Sequence, residues 1–149
     1  DTVEQLSLKK EHERITQLLD GAVKNGVQFP DLYRYLSEAF FNLKDYRKAV
    51  RYIRTALDTD PENVIFLNQL AIALKESGEP AEAAKVYNKV IKIDPNNLQA
   101  LYNKSILLAQ MGQADEALKL LDRLIKKFPD FEKAKTKFEE IKNSMTKAG

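Results

Sequence analysis

The sequence predicts an all-α protein built from repeated helical hairpins. Three segments are near copies of one another: DYRKAVRYIRTALDTDP at 45–61, EPAEAAKVYNKVIKIDP at 79–95 and QADEALKLLDRLIKKFP at 113–129. Their closing prolines, Pro61, Pro95 and Pro129, are 34 residues apart. A fixed period of this length is typical of arrays of helix–turn–helix units. No segment shows the alternating pattern of a half-buried strand.

Composition favours one domain, residues 1–149, with a packed core. Of the 149 residues, 44% are hydrophobic and 31% charged, so we expect neither disorder nor a membrane span. The absence of cysteine excludes disulfides and thiolate metal sites and leaves the redox compartment undetermined. No signal peptide is visible, and the cytoplasm is the favoured compartment. Because the chain starts at Asp1 without a methionine, an excised domain or a processed product stays open.

The N-terminal segment, residues 3–29, is predicted to hold one helix of an incomplete repeat. Its candidate inner face recurs at helical spacing: Leu8, His12, Ile15, Leu19 and Ala22. The triplet Leu-Leu-Asp at 18–20 returns three periods later at 120–122, so this helix corresponds to the second helix of a hairpin. Gly26 is the expected residue that ends it.

The first full repeat is predicted at 30–63. Pro30 suits the first turn of a helix, where its missing N–H is not needed, and Asp45 suits the N-cap of the second helix. Asp60 precedes a proline and therefore disfavours further helix. The inner faces of the two helices are expected at Leu32, Tyr33, Leu36, Ala39, Phe40 and Leu43, and at Ala49, Val50, Ile53, Ala56 and Leu57.

The second and third repeats are predicted at 64–97 and 98–131 and use the same parts. Two asparagines take the N-cap positions of their first helices, Asn63 and Asn97. Two glycines take the turns, Gly78 and Gly112. Residues 132–146 are then expected as a terminal capping helix with one apolar face and a polar outer face.

These features resemble those of the tetratricopeptide repeat family. The family's small residue in the first helix is matched by Ser37, Ala71 and Ser105, and its alanine in the second helix by Ala49, Ala83 and Ala117. The resemblance implies a right-handed superhelical solenoid of three full repeats with flanking N- and C-terminal helices. Close helix crossing independently requires small residues at the contact. The chain departs from the family at its first turn, where Lys44 replaces the glycine, and at Leu67 and Leu101, which replace an aromatic residue.

Catalytic chemistry is not indicated. The one histidine, His12, lies on the expected inner face of the first helix and reads as a structural residue. No metal-ligand spacing and no glycine-rich phosphate loop occurs in the sequence. We therefore expect no enzyme, no metal and no cofactor.

The resemblance implies that the first helices line a concave groove, which in this family commonly holds a peptide or helix of a partner. Projecting the period onto the chain gives a candidate peptide-binding set: Arg34, Tyr35, Glu38, Phe41, Asn68, Gln69, Ile72, Lys75, Tyr102, Asn103, Ile106, Gln110, Lys133 and Lys137. The alternative is that its isoleucines contact neighbouring helices and its polar members are ordinary surface. The carboxylate clamp of the family's chaperone-tail adaptors is incomplete, because Glu38 would repel a carboxylate.

A second candidate surface is the basic run Arg47, Lys48, Arg51 and Arg54. It suits an acidic partner, a membrane surface or nucleic acid, but no stacking aromatics are interleaved with it, and a solvated helix face is the favoured interpretation. The net charge of +2 does not favour nucleic acid either. The sequence thus predicts a non-catalytic adaptor or scaffold that binds another protein, with homo-oligomerisation as the alternative.

Overall fold

The computed structural model describes residues 2–27 and 31–148, and in these ranges all of the regular structure is helical. The described residues form eight helices: α1 (Val3–Lys24), α2 (Leu32–Asn42), α3 (Tyr46–Thr59), α4 (Val64–Glu76), α5 (Pro80–Ile93), α6 (Leu98–Gln110), α7 (Ala114–Lys127) and α8 (Glu132–Lys147). The predicted all-α class of helical hairpins is confirmed. Pro30 lies outside the described residues. Within them, no helix combines the length and apolar character that crossing a bilayer requires.

The helices fall into two compact units, Asp1–Glu79 with α1 to α4 and Pro80–Gly149 with α5 to α8. In the first unit, α2 packs on both α1 and α3, and α3 packs on α4. In the second unit, α6 packs on both α5 and α7, α7 packs on α8, and α6 also reaches α8. Each unit therefore contains a complete hairpin, α2–α3 or α6–α7, with a further helix on either side.

Three helices begin with the predicted side-chain caps. The side chains of Asp45, Asn63 and Asn97 each accept a hydrogen bond from the backbone N–H three residues later, at 3.2, 3.0 and 3.0 Å. Each bond satisfies a donor that the first helical turn would otherwise leave unpaired, and such caps are worth about 0.5–2 kcal/mol. The predicted starts of α3, α4 and α6 are confirmed.

Four of the helices are each followed by a residue in the left-handed backbone conformation. Three of these residues are glycines, and the fourth is a lysine. Gly26, Gly78 and Gly112 have φ values of 74°, 88° and 80°, and Lys44 has a φ of 60° in the corresponding place after α2. In each repeat the following N–H closes the turn: Asp45 N bonds to Phe40 O at 2.9 Å, and the two glycine turns close at 2.8 Å. A side chain in this region costs roughly 1–2 kcal/mol.

The small-residue positions of the predicted repeats are all buried. Ser37, Ala71 and Ser105 are at most 1% exposed, and Ala49, Ala83 and Ala117 are 0% exposed. The two serine hydroxyls donate to the backbone carbonyls of Arg34 and Tyr102, at 2.7 and 2.6 Å. No hydroxyl is left unpaired in these contacts, so serine fits the position as well as alanine does.

Helix α1 packs over only part of its length. It has 22 residues, whereas α2 has 11, and residues 2–11 are all exposed. Leu8, predicted for the inner face, is 51% exposed, while Thr16, which the prediction omitted, is 6% exposed. At the opposite end of the chain, Met145 is 39% exposed. The prediction of an inner position for Leu8 is therefore wrong, because α1 extends well past the shorter helix on which it packs.

An aromatic stack ties α1 to the first hairpin. The Tyr52 ring stacks on Phe40 at 5.5 Å between centroids and on Tyr33 at 6.3 Å. The Tyr52 hydroxyl donates to Asp20 Oδ1 of α1 at 2.8 Å. Burial, reinforced by this hydrogen bond to a carboxylate, raises the pKa of Tyr52 to about 12, and the same bond lowers the pKa of Asp20.

The alanine position offers a direct test of helix contact. We expect Ala83→Leu to lower the free energy of unfolding by about 1–3 kcal/mol, because the added carbons would overpack a position that is 0% exposed. Ala81→Leu, at an exposed position of the same helix, should change it by less than about 0.5 kcal/mol. Urea denaturation followed by circular dichroism measures both, and equal effects of the two variants would contradict the buried contact.

The raised pKa of Tyr52 predicts a loss of stability in alkali. The unfolded tyrosine ionises near pH 10, whereas the folded one resists ionisation to about pH 12. This contribution is therefore complete below pH 10 and is lost as pH rises towards 12. Between pH 9 and about pH 11.5, the parent should lose about 2 kcal/mol more stability than Tyr52→Phe.

Denaturant unfolding measures the free energy of unfolding across that pH range. The control variant is Tyr35→Phe, because Tyr35 is 44% exposed. Parallel pH profiles for the parent and Tyr52→Phe would show that the buried hydroxyl does not make this contribution.

Candidate partner-binding surfaces

The second unit carries two adjoining clefts between α6 and α8, which we call the α6–α8 surface. The larger cleft, of about 450 Å³, is lined by Tyr102, Glu132, Lys133, Thr136, Lys137 and Glu140. The smaller, of about 270 Å³, is lined by Ile106, Ala109, Gln110, Lys137, Glu140, Ile141 and Ser144. Five residues of the predicted peptide-binding set line this surface: Tyr102, Ile106, Gln110, Lys133 and Lys137. Asn103 is half-buried and is not part of either lining.

An ion pair separates the two clefts. Lys137 donates to Glu140 one turn further along α8, and both residues line both clefts. The hydrogen bond to Glu140 and the charge of that carboxylate hold the pKa of Lys137 above its ordinary value, against a smaller opposing effect of burial. The pair presents both N–H donors and carboxylate acceptors between two partly apolar hollows.

Tyr102 of the α6–α8 surface makes contacts through both its backbone and its ring. Its backbone carbonyl accepts the Ser105 hydroxyl bond, and its ring meets the Phe131 ring edge to face, with 5.2 Å between centroids. Phe131 itself packs against the apolar core of the second unit, which includes Leu101, Ala117 and Leu121. A ring fixed in this way loses little further rotamer freedom when a partner covers it.

In the first unit, the predicted residues of α2 mostly contact one another. The Arg34 guanidinium lies 3.3 Å from Asp31 and 3.9 Å from Glu38, and its central carbon is 4.4 Å from the Tyr35 ring centroid. The hydrogen bond to Asp31 raises the pKa of Arg34 further. The sequence placed these side chains on one face, but it did not show that the two carboxylates already partner the arginine.

The remaining predicted residues of the first unit are more enclosed. Phe41 packs edge to face on Tyr46 of α3 at 5.4 Å, a contact between helices that the prediction did not include. Asn68 is only 3% exposed and offers almost no surface to a partner. Gln69, Ile72 and Lys75 are half-buried, and Lys75 pairs with Glu76 at 3.2 Å.

The predicted peptide-binding set lacks two surface residues that the 34-residue period relates to its members. Glu140 lies 34 residues after Ile106 and lines both clefts. Ile65 lies 68 residues, two periods, before Lys133 and is 69% exposed. Projecting the position of Lys133 back through the repeats would have identified Ile65 as an exposed apolar residue on the first helix of its hairpin.

The basic run of α3 is exposed, as a solvated helix face requires. Lys48 pairs with Asp45 at 3.5 Å and also lies 5.0 Å from the Phe40 ring centroid. His12 is half-buried, with its Nε2 3.3 Å from the amide of Asn42. Across residues 2–27 and 31–148, no three carboxylate or imidazole groups converge to hold a metal ion.

The paired helices, the buried small residues and the clefts on the first-helix side define a helical-hairpin repeat protein. Comparison with protein families identifies the type of repeat. Two family profiles, both described as tetratricopeptide repeat, match residues 36–98 and 74–137 and together span more than half of the chain. The chain belongs to the tetratricopeptide repeat family, whose repeats generally serve as non-enzymatic protein-interaction folds.

Solved structures share this fold at low sequence identity. YrrB, described as a tetratricopeptide repeat protein with an unusual peptide-binding site, is 22% identical over 89% of this chain and 69% of its own, with a TM-score of 0.80. One crystal structure of MamA is 14% identical over 98% of this chain and 85% of its own, with a TM-score of 0.81. Another, of MamA protein, is 22% identical over 78% of this chain and 63% of its own, with a TM-score of 0.70. A search of curated proteins found no match.

Proposed function

We propose that this chain is a non-catalytic protein-interaction module, and that the α6–α8 surface binds a peptide or helical segment of a partner protein. The observation that carries the proposal is the pair of adjoining clefts whose linings include five residues of the predicted peptide-binding set. YrrB, which shares the fold, is described as having a peptide-binding site, and this supports a peptide as the kind of ligand.

The side chains of the α6–α8 surface suit an extended or helical peptide in which apolar and polar groups alternate. Ile106 and Tyr102 offer apolar area in separate clefts, which two side chains of one peptide would occupy. The Lys137–Glu140 pair between them offers a donor and an acceptor for the peptide backbone. Because the ring of Tyr102 is already fixed by Phe131, its burial costs little conformational entropy.

A surface triple variant tests this assignment. We expect Ile106→Ser combined with Gln110→Ala and Lys133→Ala to weaken binding of a captured partner by at least about tenfold, since each change removes a contact from a cleft lining. The partner is isolated by affinity capture on the parent chain and cut into segments of about 20 residues. Fluorescence anisotropy then measures the affinity of the binding segment.

The matched control is Lys119→Ala combined with Arg123→Ala, at two exposed positions of α7. It should leave the affinity unchanged, and both variants should melt within a few degrees of the parent. Full retention of binding by the triple variant would remove the α6–α8 surface from the proposal.

Self-assembly stands as the alternative function because α1 exposes large apolar side chains. Val3 and Leu18 are 86% and 71% exposed, and helical spacing places them about 60° apart on one side of the helix. A second copy of the chain is an occupant that would shield them.

Sedimentation velocity over a wide concentration range tests this alternative. Self-association through α1 should appear as a dimer that grows with concentration in the parent and is lost in Leu18→Glu, because the charge would be buried without a partner. Gln17→Glu, an exposed neighbour, is the control for added charge. A parent that stays monomeric at high concentration rules out self-assembly by this route.

A further inference from the structure

The first unit contains a cleft that the candidate set does not include. It has a volume of about 510 Å³, within the size range of ligand sites, and lies where α1 passes the turn between α2 and α3. We call it the Lys44 cleft. Its lining residues are Gln5, Leu8, Lys9, His12, Asn42, Leu43 and Lys44. A bond between the Asn42 amide and the His12 ring, 3.3 Å long, joins its two walls.

Lys44 occupies a position where the backbone favours glycine. Its φ of 60° is the one left-handed value of a non-glycine residue among residues 2–27 and 31–148. At Gly78 and Gly112, which close the equivalent turns, nothing lies within 4 Å of an added Cβ. Glycine is therefore favoured at these two positions by the left-handed backbone conformation and not by a lack of space for a side chain. The first repeat places a strained lysine at the rim of a cleft, and such strain is found where a side chain has a further role.

The cleft carries positive charge without carboxylates. Its lining includes two lysines but no Asp or Glu. Lys9 and Lys44 take part in none of the ion pairs formed by the described residues. Leu8 and half-buried Leu43 supply apolar walls, and the amides of Gln5 and Asn42 supply donors and acceptors.

We propose that the Lys44 cleft binds an acidic peptide segment of a partner protein, with carboxylates between Lys9 and Lys44 and an apolar side chain against Leu8 and Leu43. The two ammonium groups complement two side-chain carboxylates of opposite charge. The site lies in the first unit and is separate from the α6–α8 surface, so either assignment can fail while the other stands.

The lining favours a peptide over nucleic acid or free phosphate. It holds no Phe, Tyr or Trp ring for a base to stack on and no arginine to bind a phosphate with two hydrogen bonds. The neighbouring N-terminus of α3 does not present a bare set of N–H groups either, because Asp45 accepts a bond from Lys48 N. The apolar walls add contact area that a peptide side chain uses and a phosphate does not.

Fluorescence anisotropy with defined peptides tests the proposal on the full chain. The probe is a fluorescein-labelled octapeptide that alternates glutamate and leucine, with an amidated C-terminus so that no terminal carboxylate contributes. Its partner probe has glutamine in place of every glutamate. A single-stranded oligonucleotide of equal charge serves as the third probe.

Lys44→Gly and Lys9→Gln should each weaken binding of the glutamate peptide by about three- to fivefold, the loss expected for one exposed ion pair. Lys44→Gly should melt at or above the temperature of the parent, because the glycine relieves the left-handed strain. Lys44→Arg keeps the charge and should keep the affinity. Lys10→Gln removes an exposed lysine of α1 that lies next to Lys9 in sequence but outside the cleft lining, and it should leave the affinity for the glutamate peptide unchanged.

The expected result is saturable binding of the glutamate peptide, at least about tenfold weaker binding of the glutamine peptide, and loss confined to the Lys9 and Lys44 variants. Absence of saturable binding, or equal affinity in these variants and the parent, would overturn the proposal. Loss in the α6–α8 triple variant alone would assign the peptide to the other surface and likewise overturn it. Tighter binding of the oligonucleotide, lost in the Lys9 and Lys44 variants, would show that the ligand class is wrong.

Discussion

Close contact between helices at small residues is the constraint on which the two units depend. Ala49, Ala83 and Ala117 are completely buried, so each second helix carries only a methyl group at this inner position. The first helices use Ser37 and Ser105 in the same way, and their hydroxyls are satisfied within their own helix. Larger side chains would separate the helices, and every residue that a hairpin positions would move with them.

The surfaces follow from that geometry because the period fixes which residues share a face. Ile106 and Glu140 are one period apart, and the packing of α6 with α8 places both at the same cleft. The core below sets the position of the rings above: Phe131 rests on the core of the second unit and holds Tyr102 in turn. The side chains of the candidate surface therefore rest on packed apolar residues of the second unit.

The first unit differs from this plan at the turn after α2 and along α1. Lys44 takes a glycine's backbone conformation, and α1 extends well past the short helix on which it packs. These two departures meet at one place, the cleft beside Lys44. Natural chains keep local strain where another gain offsets it. By contrast, Arg34 is already satisfied by Asp31 and Glu38, so a charged residue on a first helix is not by itself a free binding group.

The sequence by itself determined the hairpin period, the caps at Asp45, Asn63 and Asn97, and the small-residue contacts, because local periodicity and backbone chemistry decide these. It also identified five lining residues of the α6–α8 surface. Only the tertiary structure decided how much of each predicted face is covered. Leu8 is exposed and Asn68 is buried, since coverage depends on the length and position of neighbouring helices. The pairing of Arg34, the contact of Phe41 with Tyr46 and the existence of the Lys44 cleft depend on three-dimensional proximity, which spacing along one helix does not contain.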